Sequence, residues 1–88
     1  MSEIVHISSL LVSARPEKAK GAASAIEKFP IAEIAHLDEA GKIIVTLETT
    51  NESEIVSALS DIQLIDGVVS AALVYHQTDA GDALGTNR

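Results

Sequence analysis

The sequence predicts an α+β domain in which strands and helices follow one another as β-α-β-β-α-β. Two patterns carry that prediction. Short runs rich in Val, Ile and Leu occupy 4–13, 42–49 and 68–76, each the length of one strand. Between them, 17–29 and 51–63 repeat Ala, Ile and Leu at three- and four-residue spacing, the period of a helix with one apolar face. Proline and glycine fall mostly between these segments, where they act as breaks.

The first strand reads Ile4 to Ser13 and ends before Arg15-Pro16. It is apolar on both parities, with Val5, Ile7 and Leu11 on one and Leu10 and Val12 on the other. A strand of that kind is central in its sheet. Pro16 suits a first helical turn, because its missing N–H would be unpaired there anyway. Glu17 favours the positive end of the helix dipole. Ala19, Ala22, Ala23, Ile26 and Phe29 then mark the inner face of the first helix, and Pro30 ends it. Ala32 to Asp38 alternates weakly and reads as an edge strand, and Asp38-Glu39-Ala40-Gly41 as a polar hairpin turn. Lys42 to Thr49 is the third strand. Asn51 with Glu54 three positions on resembles a capping box, and Ile55, Ala58, Leu59 and Ile62 form the apolar stripe of the second helix. Asp66-Gly67 stops that helix, and Val68 to His76 is the last strand.

Right-handed crossovers place both helices on one face of a four-stranded antiparallel sheet, with strand order 4-1-3-2. This is the ferredoxin-like arrangement, and it hosts many unrelated functions. The expected single domain is 1–77, with 78–88 a small, polar, disordered tail.

The chain has 88 residues, a formal charge of −7, 47% hydrophobic residues and two aromatics, Phe29 and Tyr75. That length allows one core, necessarily aliphatic. The absence of cysteine removes disulfides, thiolate metal ligands, iron–sulfur ligation and thiol nucleophiles together. No secretory leader pattern and no long apolar run is present, so a cytoplasmic protein without a membrane span is expected. Acidic balance and the near absence of stacking aromatics argue against nucleic acid; the charge either simply keeps the protein soluble or attracts a basic partner.

Two helices can cover only one face of the sheet. Parity assigns Leu10, Val12, Ile43, Val45, Leu47, Ala71, Leu73 and Tyr75 to the covered face. Ile7, Ser9, Leu11, Ile44, Thr46, Ala72 and Val74 are then left outward, with Glu48 and His76 at the margin. The set is small, aliphatic and contiguous, the composition of an interaction surface. It can dock an amphipathic segment of a partner or pair with a second copy, so a monomer or weak homodimer is expected.

No catalytic constellation is visible. His6, His36 and His76 lie on three predicted strands, and His36 is too far from His76 in the strand order for a three-histidine metal site. No serine stands in a nucleophile motif, no phosphate-binding glycine loop occurs, and no cofactor is indicated. Gly21, inside the first helix, weakens it by about 1 kcal/mol relative to alanine unless close packing requires it.

Four segments stand out: Ser8-Ser9-Leu10-Leu11-Val12, Phe29-Pro30 with Glu33-Ile34, Gly41-Lys42-Ile43-Ile44-Val45 with Glu48, and Asp66-Gly67-Val68 running to Leu73-Val74-Tyr75-His76-Gln77. Together they resemble the NapD family. The resemblance spans about 4–77, and its most specific part is the last strand. One departure is Ile31, where the family usually shows glycine after Phe-Pro. The resemblance implies a cytoplasmic assembly chaperone, not an enzyme. Such a chaperone binds the twin-arginine signal peptide of the periplasmic nitrate reductase catalytic subunit as a helix on the open sheet face. It holds back export until cofactors are inserted, and binds none of them itself. Glu33 and Glu48 would attract the arginines. Two other readings of the same topology are a small-molecule-sensing regulatory domain, which usually sits beside a second domain, and a small enzyme, for which no acid, base or nucleophile converges.

Overall fold

The computed structural model describes residues 4–79. Its elements are β1 (Val5–Ala14), a 3-10 turn (Pro16–Lys18), α1 (Ala19–Glu27), β2 (Ala32–Leu37), β3 (Lys42–Thr49), α2 (Glu52–Gln63) and β4 (Val68–Asp79). The strands form one antiparallel sheet in the order β2-β3-β1-β4, the predicted 4-1-3-2. The last strand runs beyond the predicted His76, pairing Thr78 with His6 and Asp79 with Val5. The tail expected from 78 onward therefore begins inside a strand, and its remainder lies outside the described residues.

The core is the seam between the sheet and the two helices. Leu10, Val12, Ile43, Val45 and Leu47 are fully buried on one face of the central strands. Ala22, Ala23 and Ile26 of α1 and Ile55, Ala58 and Ile62 of α2 are buried opposite them. The alanines of α1 keep that helix close to the sheet, and Phe29 and Ile31 close the end of the seam.

The start of α2 is capped by a relay rather than a simple capping box. The Asn51 side chain accepts the Ser53 N–H at 3.1 Å. The Asn51 N–H is itself taken by the Thr49 hydroxyl at 3.1 Å, and that hydroxyl donates to the Glu54 carboxylate. Glu54 thus reaches the cap through Thr49, at the end of β3, and locks strand to helix.

Two glycines hold the end of β1. Gly41 and Gly67 have φ of 97° and 95°, and their carbonyls accept the N–H groups of Ala14 and Arg15, each at 2.8 Å. A Cβ at Gly41 would lie 2.1 Å from the Ala14 carbonyl oxygen. Gly21 differs: nothing lies within 4 Å of where its Cβ would be, so close packing does not account for it.

Asp38 organises the β2–β3 turn. Its carboxylate accepts the N–H groups of Lys42 and Ala40, both at 3.0 Å, and the Lys42 bond above all holds its pKa below the ordinary value. Lys18 donates to Asp66 at 2.7 Å and does the same for that carboxyl.

Three substitutions test these positions. Gly41→Ala should destabilise the protein by more than about 2 kcal/mol, through strain and overlap with Ala14. Gly21→Ala should stabilise it by about 0.5–1 kcal/mol, with urea denaturation measuring both. For Asp38, the folded carboxyl is more acidic than the unfolded one. Its contribution is therefore present above the ordinary 3.8 and lost as pH falls through the lowered value. Asp38→Asn should lower the urea midpoint at about pH 7 and show a smaller further drop at about pH 3 than the wild type shows.

Candidate functional site

The face of the sheet away from the helices is the candidate site, and strand pairing fixes its rows. Across the middle run His36, Ile44, Leu11 and Ala72. The neighbouring row is Glu33, Thr46, Ser9 and Tyr75, and the next is Glu48, Ile7 and Gln77. Ile7, Ser9, Leu11, Ile44 and Thr46 are half-buried by their neighbours alone, while Ala72 and Glu48 are exposed. The sequence-predicted members of β1 and β3 therefore share one face, as does Ala72.

Strand β4 corrects the rest. Ser9 pairs with Tyr75 but Leu10 pairs with Leu73, so Val74 is an extra residue, a β-bulge. Beyond it the alternation of β4 is inverted. Tyr75, expected under the helices, stands on the open face with half its surface exposed, and its hydroxyl donates to Gln77 at 2.7 Å. His76, expected at the margin of the open face, pairs with Ser8 and lies on the helix side instead. Val74 sits at the bulge itself, 58% exposed. A bulge has no compositional sign, so strict period-two alternation predicts the wrong face beyond it. The Leu-Val-Tyr run is uniformly apolar and gave no phase to detect the slip.

At the β2–β3 end the face deepens into a cavity of about 530 Å³. Glu33, Thr46 and Glu48 border it, together with Val5, Thr50 and the turn Pro30–Ile31. The Ile31 carbonyl accepts the Glu48 N–H at 3.0 Å, which ties the turn after α1 to β3. Two carboxylates bordering a recess of mixed polar and apolar lining suit a guanidinium or ammonium group. The site thus joins an apolar strip to an acidic recess, the chemistry of a segment that is basic at one end and apolar at the other.

A ferredoxin-like domain with helices on one face presents an apolar, acid-ended surface on the other, the kind of surface that protein-binding domains use. Comparison with known proteins defines it further. The family model described as "NapD protein" matches residues 5–80. The chain is 31% identical over 75 residues to "Chaperone NapD" of Haemophilus influenzae, covering 84% of this chain and 81% of that one. It is 37% identical over 76 residues to "Chaperone NapD" of Paracoccus pantotrophus, covering 86% and 67%. The solution structure of the E. coli Tat proofreading chaperone protein NapD superposes with a TM-score of 0.79 at 27% identity, covering 100% of this chain and 93% of that one. The chain belongs to the NapD family, whose named members are chaperones and not enzymes. The regulatory-domain alternative finds no support among these relatives.

Among the described residues, no helix is long and apolar enough to cross a membrane.

Proposed function

We propose that the protein binds the twin-arginine signal peptide of the periplasmic nitrate reductase catalytic subunit. It does so in the cytoplasm, as a monomer or weak homodimer, and holds back export until cofactor insertion is complete. The observation that carries this reading is the apolar strip of the open face running into the recess between Glu33 and Glu48. Membership of a chaperone family supports it, as does the description of the E. coli neighbour as a Tat proofreading chaperone.

In this reading the apolar side of a helical peptide lies across Ile7, Leu11, Ile44, Ala72 and Val74. Ser9 and Thr46 offer hydroxyls among them, and Tyr75 joins the surface in place of His76. An arginine of the peptide enters the recess beside Glu33 and Glu48. Such exposed ion pairs contribute about 0–1 kcal/mol each, so the strip supplies most of the affinity and the carboxylates set polarity and approach. The charge of −7 draws a basic leader from a distance and weakens that pull as salt rises.

Titration of the protein with the synthetic leader, followed by calorimetry, tests this. Tyr75 is the single tyrosine and there is no tryptophan, so its emission is a second probe on the face itself. Saturable binding with a change in Tyr75 emission is expected. Leu11→Glu should weaken it at least tenfold, about 1.4 kcal/mol, with an unchanged fold by circular dichroism. Glu33→Gln with Glu48→Gln should weaken it about two- to fivefold at low salt and less at high salt. Binding that ignores Leu11→Glu would remove the open face from the account. No saturable binding at low salt would overturn the function.

A further inference from the structure

We propose that His6, Glu52 and His76 form a binding site for a divalent transition-metal ion, with zinc the best match. The site is separate from the open face and does not rest on peptide binding. It lies on the helix side of the sheet, where the start of β1, the end of β4 and the first turn of α2 meet.

Three observations support it. Each of the three residues offers a donor atom, and these atoms all lie within 4.8 Å of one another. The two imidazoles stack, with ring centroids 5.6 Å apart and planes 17° apart, so they arrive side by side from adjacent strands. The Nδ1 atom of His6 is buried without a hydrogen-bond partner among the described residues. An imidazole nitrogen left in that state costs free energy, and a stacked neighbour does not repay it, because stacking satisfies no lone pair or N–H.

The donor set favours a transition metal over calcium or magnesium. Two imidazole nitrogens and one carboxylate oxygen are the three protein ligands of an open zinc site, with a fourth position left to water. Calcium and magnesium prefer all-oxygen shells, which two histidines do not supply. Nickel and copper accept the same donors, so selectivity over them is not built into the ligand types. Zinc bonds of about 2.0–2.1 Å place tetrahedral donors about 3.3–3.4 Å apart. Side-chain rotations of about an ångström therefore close the site. Glu52 and His76 are exposed, so the ion has an entry path and the side chains have room to turn. Glu52 is also spared by the helix cap, which is made by Asn51, Thr49 and Glu54.

The test is a titration of the metal-free, untagged full chain with zinc by calorimetry, and with cobalt by visible absorption. One saturable equivalent is expected. Bound cobalt should show the intense bands of a four-coordinate site, and zinc should raise the melting midpoint. His76→Gln, at an exposed position, should abolish the site without unfolding the apoprotein. His6→Gln should do the same, and if it fails to fold, His76→Gln and Glu52→Gln carry the test. Glu52→Gln should weaken zinc binding about tenfold or more. His36→Gln, on the open face, should leave binding unchanged. Absence of saturable zinc binding by the wild type overturns the proposal, as does binding that survives His76→Gln or is lost with His36→Gln.

Discussion

The rest of the structure depends on the hand of two crossovers. A right-twisted strand feeding a helix returns to its sheet in one sense only, so α1 and α2 land on the same face. The sheet must then bury one side under helices and leave the other to solvent. Leu10, Val12, Ile43, Val45 and Leu47 meet the first demand and are fully buried. Ile7, Leu11 and Ile44, one residue out of phase with them, are held by the same backbone on the other side. Among the described residues their exposure is a property of the topology, and a partner or a second copy would remove it.

Much of this was legible in the sequence because antiparallel pairing carries phase from strand to strand. Once β1 and β3 are both central and the Asp38–Gly41 turn joins β2 to β3, the parity of one fixes the parity of the other. The capping signal at Asn51 was legible too, but its execution was not. The role of Thr49 depends on where β3 ends relative to α2, and local spacing does not encode that. Gly41 and Gly67 read as turn residues, yet their service to Ala14 and Arg15 is a three-dimensional fact. The acidic recess escaped for a similar reason. Glu33 and Glu48 are 15 positions apart, and only the β2–β3 register with the Pro30–Ile31 turn makes them walls of one cavity.

In the proposed complex, the strip and the recess divide the work of recognition. Apolar contact is non-directional and tolerant, so it gives affinity to any helix with an apolar side. Charge at one end gives that contact a direction, because a helix entering backwards would leave both carboxylates without a basic partner and its arginines over aliphatic surface. The recess is also built from rigid parts: Glu48 lies in a central strand whose N–H is tied to Ile31, and Glu33 pairs opposite Thr46. The backbone beneath both carboxylates is therefore fixed in advance, and binding has to order only their exposed side chains.

The bulge at Val74 connects the two surfaces. Without the extra residue, the alternation of β4 would place Tyr75 under the helices and His76 on the open face. There Tyr75 would force an aromatic ring between the sheet and α2, and His6 would stand alone. With it, the open face gains the Tyr75 ring and the helix side gains the second imidazole beside His6. A bulge leaves part of the ladder unpaired and bends its strand, so the segment beyond it needs other restraint. The pairing of His76 with Ser8 and of Gln77 with Ile7 supplies some. A metal ion held by His6, Glu52 and His76 would supply more, by fixing the end of β4 to both β1 and α2. The residue adjoining that clamp is Tyr75, on the opposite face. One extra residue thus sets the composition of both faces of β4 at once.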